Sequence, residues 1–263
     1  MFIHNFDPVL IDLGFFEIRW YSAAYIVGIL IGWMYANKII KLTENNQYNF
    51  KQIVTKQFDD LIIYLVIGII IGGRLGYVIF YNLDYYSQNL LEIFKLWQGG
   101  MSFHGGLLGV IISIIIFSKK SQVNFFKFSD IVSCVAPIGI LLGRIANFIN
   151  GELVGRITNE KIGIIFRHID DFPRHASQIY EAFFEGIVLF FILFFIQKKQ
   201  SVINKKGYLS SLFLIFYSFF RFICEFFREP DSHIGLQYLN LTIGQIYSII
   251  FFIIGIFILF KKK

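Results

Sequence analysis

The sequence contains few charged residues for its length. Charged side chains make up 16% of the 263 residues, whereas 56% of the residues are hydrophobic and 19% are aromatic. An average soluble domain has about 25% charged residues. The mean hydropathy is correspondingly high, at +0.63. These values exclude a disordered chain, a collagen, a coiled coil and an ordinary cytosolic enzyme.

Cysteines and familiar catalytic motifs are also scarce. Cys134 and Cys224 lie in apolar stretches without metal-binding, redox or disulfide spacing, so we expect both to be packing residues. The sequence has no HExxH, GxSxG or P-loop motif, and no paired aspartates on two apolar segments. Residues 1–14 have no basic region, so we expect no cleavable signal peptide and a first apolar segment that is retained.

Long apolar runs are what the sequence does contain. A helix needs about 20 mostly apolar residues to cross a bilayer. The runs therefore predict an all-α, polytopic integral membrane protein that forms a single membrane domain over residues 1–263. The polar residues 150–177 predict a small extracytoplasmic head. We predict about seven transmembrane helices, at residues 20–40, 61–81, 103–118, 131–149, 179–197, 207–227 and 243–260.

The net charge of +6 comes with an uneven distribution of lysines. In a soluble protein this balance would indicate nucleic acid as a partner, but membrane proteins concentrate basic residues on cytoplasmic loops. We therefore predict no nucleic-acid partner, an N-terminus outside the cytoplasm and a C-terminus inside it. The connections after the first, third and fifth predicted helices, together with the C-terminal tail, hold Lys38, Lys41, Lys51, Lys56, Lys119, Lys120, Lys127, Lys198, Lys199, Lys205, Lys206, Lys261, Lys262 and Lys263.

The arginines are distributed differently from these lysines. All of them lie on the opposite side or within the apolar segments: Arg19, Arg74, Arg144, Arg156, Arg167, Arg174, Arg221 and Arg228. The planar guanidinium group suits bidentate recognition of phosphate and carboxylate. Because charges within a membrane are costly, arginines at these positions indicate a functional site by default.

A glycine-flanked histidine opens the third predicted helix. His104 is followed by Gly105, Gly106 and Gly109, which allow a partner helix or a lipid to approach closely. One interpretation makes His104 a proton carrier or a donor to phosphate. The other makes it an interfacial histidine beside a glycine packing face, and the spacing favours neither.

A second group of polar residues surrounds the end of the fourth predicted helix. Arg144 and Asn147 share a helix face, and Glu152 and Arg156 follow after the helix breaks. A buried arginine with nearby amides suits an anionic headgroup, whereas the alternative is a structural Arg–Glu pair that closes a helix end. We favour the functional interpretation.

The fifth predicted helix begins with polar residues that have a simpler explanation. Ser177 is predicted as its N-cap, and Glu181 lies in its first turn, so capping accounts for both. Gln178 is less easily explained in this way.

The sixth predicted helix carries one polar stripe. Tyr217, Arg221, Glu225 and Arg228 are spaced so that they share a helix face. Arg221 and Glu225 would form a self-neutralising pair, or two neighbouring arginines would bind a phosphate-bearing lipid. Arg74 either lies near these arginines or is paired with an acid.

These residues together resemble the bacterial prolipoprotein diacylglyceryl transferases. The resemblance runs in order from about residue 6 to the last predicted helix, and it departs from the family pattern at Ser22, Ala146 and Ala176. The motifs that carry it are Phe6-Asp-Pro8, Arg19-Trp-Tyr21, Phe103-His-Gly-Gly-Leu, Gly143-Arg-Ile-x-Asn-Phe-Ile-Asn-Gly-Glu-x-x-Gly155, His175-x-Ser-Gln-x-Tyr-Glu181 and Arg221-x-x-x-Glu-Phe-Phe-Arg-x-Pro-Asp231.

The resemblance implies an enzyme of the bacterial inner membrane. It would transfer the diacylglyceryl group of phosphatidylglycerol to the lipobox cysteine thiol of a preprolipoprotein, and release glycerol 1-phosphate without a metal or cofactor. The implied catalytic residues are His104, Arg144, Arg221, Glu225 and Tyr21, with the choice of base between His104 and Glu225 left open. The implied substrate-binding residues are Arg144, Asn147, Glu152, Gly155, Tyr217 and Arg221. A transporter or lipid carrier that uses the same charged cavity is the alternative, and a structural assembly protein is a third.

Overall fold

The computed structural model is mostly helical and describes residues 2–14, 17–44, 55–199, 205–230 and 235–261. Lys51, Asp231, Lys262 and Lys263 lie outside the described residues. The helices in these ranges are α1 (Trp20–Glu44), α2 (Thr55–Tyr81), α3 (Leu83–Gln88), α4 (Phe103–Ser121), α5 (Phe125–Asn150), α6 (Ser177–Gln197), α7 (Tyr208–Cys224) and α8 (Ile243–Lys261). Short 3-10 turns occupy Leu90–Phe94, Leu96–Gln98 and Tyr238–Asn240.

The helices coincide with the predicted apolar segments. Six helices in the described part of the chain are long and apolar enough to cross a membrane, and α7 is a shorter apolar helix. The prediction of an all-α, polytopic membrane protein with about seven helices is confirmed. With 17 residues α7 is about 25 Å long, which is less than the ~30 Å of a bilayer core. The helix ends at Cys224, so residues 225–227 of the predicted segment lie in the turn that follows it.

α5 begins at Phe125, six residues before the fourth predicted segment, which starts at 131. Lys127 and Asp130 interrupt the apolar run there, yet both side chains are buried. The Asp130 carboxylate accepts hydrogen bonds from the backbone N–H groups of Gly207 (2.7 Å) and Ser210 (2.8 Å), and from the Ser210 hydroxyl (2.6 Å). A side chain of α5 thereby satisfies the free N–H groups at the start of α7.

The chain divides into two compact units. The first contains residues 1–36 and 130–263, and the second contains residues 37–129. In the first unit α7 packs against α6 and α8, and in the second unit α2 packs against α4. The single membrane domain predicted from the sequence stays a prediction.

Short β-strands accompany the helices of the first unit. β1 (Phe2–Ile3), β4 (Ile164–Ile165) and β5 (Pro173–Arg174) form one sheet, in which β4 pairs parallel with β1 and antiparallel with β5. β2 (Val9–Asp12) and β3 (Glu17–Arg19) form an antiparallel pair. These strands were not predicted from the sequence, because segments of two to four residues show no alternating pattern. The predicted head, residues 150–177, contains β4 and β5 and is otherwise turns and loops.

Glycines determine how closely α2 and α4 approach each other. A Cβ atom at Gly72 would overlap the Gly105 carbonyl oxygen, and one at Gly109 would overlap the Gly68 carbonyl oxygen. A Cβ at Gly106, by contrast, would come no nearer than 3.8 Å to the Ile69 carbonyl oxygen. The glycine packing face predicted beside His104 therefore consists of Gly105 and Gly109, and its partner is α2.

This packing predicts opposite effects of one substitution at two glycines. Gly72→Ala should destabilise the protein by about 1–3 kcal/mol, because the methyl group forces the two helices apart. Gly106→Ala should be neutral or slightly stabilising, because alanine is the better helix former and the site is open. Thermal unfolding of both variants in detergent micelles measures the difference, and equal unfolding temperatures would contradict the close approach.

Candidate active site

Two arginines from different helices meet at one buried glutamate. Arg144 near the end of α5 forms an ion pair with Glu181, with 2.8 Å between Nη1 and Oε2. Arg221 near the end of α7 pairs with the other oxygen of the same carboxylate, with 3.0 Å between Nη1 and Oε1. The Glu181 side chain is 1% exposed. The predicted proximity of Arg144 and Arg221 is therefore present, and a carboxylate lies between them.

Three further charged residues complete this arrangement. Glu185 lies 3.5 Å from Arg144 and 3.6 Å from Arg221, and its side chain is fully buried. Glu225, directly after the end of α7, pairs with Arg221 at 2.7 Å. Arg228 approaches Glu181 at 3.9 Å. We call the six residues Arg144, Arg221, Arg228, Glu181, Glu185 and Glu225 the arginine–glutamate cluster.

The backbone of α6 places the two glutamates that the arginines share. Ala182–Val188 is a π-helical stretch inside α6, so each turn there holds more residues than in an α-helix. Gly186 lies in this stretch, and a Cβ atom there would be 2.7 Å from the Leu141 Cβ of α5. The glycine thus allows α6 to approach α5 closely at the level of the cluster. π-Helical turns are frequent at functional sites.

Tyr21, Asn147 and Glu152 form a second polar group. The Asn147 amide nitrogen donates to Glu152 Oε1 at 2.9 Å, and the Tyr21 hydroxyl is hydrogen bonded to both side chains. Gln178 donates to the Glu152 backbone oxygen at 2.6 Å. These hydrogen bonds join the start of α1, the end of α5 and the start of α6.

Gly155 holds together the loops around the site. Its N–H donates to the His175 oxygen at 2.9 Å, and a Cβ atom there would be 2.6 Å from both the His175 Cβ and the Phe227 oxygen. Arg174 donates to the Gly155 oxygen at 3.1 Å and also pairs with Asp170, whose pKa it lowers from its usual value by this hydrogen bond. The structure thus gives Gly155 a steric role, and the predicted substrate contact stays a prediction.

Tyr217 lies one turn before Arg221 on α7 and stacks on Phe213, with 5.6 Å between the ring centroids. The predicted helix stripe of Tyr217, Arg221, Glu225 and Arg228 is only partly present, because α7 ends at Cys224 and Arg228 pairs with Gly155 in a β-bridge. His104 belongs to the second unit, in the first turn of α4, whose N-cap Ser102 accepts a hydrogen bond from the Gly105 N–H at 3.2 Å. Its catalytic role stays a prediction.

The capping interpretation of Ser177 and Glu181 was wrong. The N-cap of α6 is Ala176, and the fully buried Ser177 hydroxyl donates to the Leu153 oxygen at 3.0 Å. Glu181 is bound to arginines instead of completing a cap. The signal for its role was present in the sequence as two acids, Glu181 and Glu185, four residues apart within an apolar segment.

Arg74 binds the backbone of the second unit, and its membership of an arginine cluster stays a prediction. It is 3% exposed and donates to five backbone oxygens, those of Glu92, Ile93, Lys95, Gly99 and Gly100. It therefore organises the loop between α3 and α4 without a carboxylate partner among these contacts. Across the described residues, no group of three or more His, Cys, Asp or Glu side chains is placed to hold a metal ion.

The ion pairs predict a strong dependence of stability on Glu181. Glu181→Ala should cost about 3–5 kcal/mol, because it leaves buried guanidinium groups without their nearest counter-charge. Glu160→Ala, at an exposed glutamate, should stay within about 0.5 kcal/mol of the parent protein. Thermal unfolding in detergent compares them, and a Glu181→Ala protein as stable as the Glu160→Ala protein would contradict the bridging role.

The sequence of this chain is similar to that of known proteins. Residues 8–261 match the model of the prolipoprotein diacylglyceryl transferase family. A phosphatidylglycerol–prolipoprotein diacylglyceryl transferase of Rickettsia canadensis (strain McKiel) is 54% identical over 256 residues, which cover 97% of this chain and 96% of the relative. Proteins of the same name from Rickettsia akari (strain Hartford) and Rickettsia felis (strain ATCC VR-1525 / URRWXCal2) are 52% and 51% identical, over 98% of each chain. The resemblance read from the sequence motifs is confirmed: the chain belongs to the prolipoprotein diacylglyceryl transferase family.

Proposed function

We propose that this protein transfers the diacylglyceryl group of phosphatidylglycerol to the lipobox cysteine thiol of preprolipoproteins, the first step of lipoprotein lipidation. The observation that carries the proposal is the pair of arginines, Arg144 and Arg221, which come from separate helices and share the Glu181 carboxylate at 2.8 and 3.0 Å. Two guanidinium groups held side by side match the oxygens of a phosphodiester. The family membership supports the same chemistry.

The reaction breaks the bond between the diacylglyceryl carbon and its phosphate oxygen. The cysteine sulfur forms a thioether with that carbon, and the bonding electrons leave with glycerol 1-phosphate. Arg144 and Arg221 stabilise the charge that develops on the phosphate as the bond breaks. Preorganised donors of this kind contribute about 2.7–4 kcal/mol each in other enzymes.

The Tyr21, Asn147 and Glu152 group orients the glycerol of the headgroup. Its hydroxyl, amide and carboxylate can each donate to or accept from a glycerol hydroxyl, and Asn147 lies one turn from Arg144 on α5. Tyr217 extends the same site along α7, one turn from Arg221. Gly155 keeps the surrounding loops close to these residues.

The thiol must lose its proton to become a nucleophile. Glu225 is bound to Arg221 at 2.7 Å, so this carboxylate already serves as a counter-ion. His104 and Glu225 both stay candidates for the group that takes the proton. A neutral imidazole suits this task near neutral pH.

An apolar groove lies next to the cluster and suits the hydrocarbon part of a substrate. Its volume is about 580 Å³, and three of its lining residues, Tyr180, Phe184 and Cys224, directly precede cluster glutamates in the sequence. Ile223 and Phe227 line it as well. We infer that an acyl chain or the apolar lipobox segment lies here while the headgroup contacts the arginines.

The protein spans the membrane several times, and we infer the orientation from its lysines. An N-terminus outside and a C-terminus in the cytoplasm place the ends of α5 and α7, with the cluster, at the outer membrane face. The proposed substrates are available there: phosphatidylglycerol in the bilayer and the translocated lipobox peptide.

Transfer can be tested with purified components. Protein in detergent or vesicles, with phosphatidylglycerol and a lipobox peptide, should increase the peptide mass by one diacylglyceryl unit. A peptide with serine in place of the lipobox cysteine is the matched control and should remain unmodified. Folded protein that leaves the cysteine peptide unmodified would refute the proposal, and lipid movement between vesicles without a covalent product would favour a carrier.

The phosphate contact predicts a loss of activity when a guanidinium becomes an ammonium. Arg221→Lys should reduce turnover by about 10²–10³-fold without loss of folding, because a point charge cannot replace two parallel donors. Arg167→Lys, at an exposed arginine of the 150–177 segment, should retain full turnover. The peptide assay measures both variants, and full turnover by Arg221→Lys would count against phosphate binding at this residue.

A further inference from the structure

The arginine–glutamate cluster is electrically balanced without substrate. Its ion pairs connect three guanidinium groups with three carboxylates, so the formal charges cancel when all six are ionised. Glu181 and Glu185 are at most 1% exposed, and the arginine side chains are 11–16% exposed. Water therefore screens these charges only weakly.

A bound phosphodiester disturbs this balance. It brings one negative charge to Arg144 and Arg221, whose guanidinium groups already face carboxylates. A buried charge without a counter-charge is costly, and two anions that share one guanidinium repel each other. The balance is restored when one carboxylate takes up a proton, because the number of anions in the cluster then stays at three.

Glu185 is the carboxylate with the weakest compensation. Its contacts with Arg144 and Arg221 measure 3.5 and 3.6 Å, whereas Glu181 is held at 2.8 and 3.0 Å and Glu225 at 2.7 Å. Glu181 also faces Arg228. Moving Glu185 away from the arginines therefore loses less electrostatic attraction than moving Glu181 or Glu225.

The surroundings of Glu185 contain both signs of charge. Two carboxylates, Glu181 and Glu225, disfavour its ionised form, and Arg144 and Arg221 favour it. A phosphate that occupies the guanidinium groups weakens the second influence and leaves the first. Among the described residues, the titratable and charged groups around Glu185 include Arg144 on α5, Glu181 on its own helix, Tyr217, Arg221 and Cys224 on α7, and Glu225 directly after α7.

We propose that Glu185 takes up one proton from solvent when the phosphate of the donor lipid binds to Arg144 and Arg221, an inference that rests on the proposed function. The neutral carboxyl then has an O–H group that can donate to a phosphate oxygen or to Glu181. Glu185 thereby acts as a positioning residue, since it frees guanidinium donors for the phosphate and keeps the cluster balanced.

The affinity for phosphatidylglycerol should depend on pH. Where Glu185 is ionised in the empty site, binding in uncharged detergent micelles should weaken about tenfold per pH unit as the pH rises, because each binding event consumes one proton. Diacylglycerol, which lacks the phosphate, should show no such dependence. An affinity for phosphatidylglycerol that is constant with pH would overturn the proton uptake and leave the proposed transfer intact. Absence of binding at every pH would overturn both.

A substitution at Glu185 tests whether this residue takes up the proton. Glu185→Gln is neutral at all pH values, so its affinity should lose the tenfold change per pH unit, whereas Glu17→Gln, on the exposed strand β3, should keep it. An unchanged pH dependence in Glu185→Gln would overturn the role of Glu185.

A measurement on the parent protein covers the case in which Glu185→Gln does not fold. In weakly buffered solution with a pH-indicator dye, addition of phosphatidylglycerol should remove about one proton per bound lipid. Equal amounts of diacylglycerol should remove none. Binding of phosphatidylglycerol without proton uptake would overturn the proposal.

Discussion

The buried ion pair between Glu181 and two arginines is the interaction on which the rest of the site depends. An arginine within a membrane segment needs carboxylates or backbone carbonyl groups to compensate it. Here one carboxylate on α6 compensates guanidinium groups on both α5 and α7. The end of α5, the start of α6 and the end of α7 must therefore lie close together. Neighbouring polar residues such as Asn147 and Gln178 are brought to the same place. The same constraint means that both arginines already face a carboxylate, so the anionic substrate that we propose would compete with it.

Arginine serves two separate purposes in this chain. Arg74 donates to backbone oxygens of the loop before α4, and Arg174 donates to the Gly155 oxygen while it pairs with Asp170. Arg144 and Arg221 bind buried carboxylates, which we propose that a substrate phosphate displaces in part. The one-sided distribution of arginine in the sequence therefore reflects both the construction of the loops and the chemistry of the site, and the residue type alone does not separate the two.

The helices were predictable because long apolar runs have few other uses, and the site residues were predictable because they form specific motifs. The differences have physical causes. Asp130 interrupts an apolar run but is buried, because it caps another helix. Glu181 occupies a first helical turn, where an acid is common without a partner, so capping was a sufficient local explanation and concealed its bond to distant arginines. Strands of two residues give no local signal, since their pairing partners lie far away in the sequence.

The π-helical stretch Ala182–Val188 has a consequence for how this protein can change over time. A π turn holds one more residue than an α turn. The stretch therefore rotates the side chains before it about the helix axis relative to the side chains after it. Loss of a single residue would restore regular α-helical hydrogen bonding and would turn Glu181 by about 100° against the apolar remainder of α6. The helix would remain a good membrane segment while the arginines lost their shared partner. The length of this short stretch thus determines where Glu181 lies relative to the apolar face of α6.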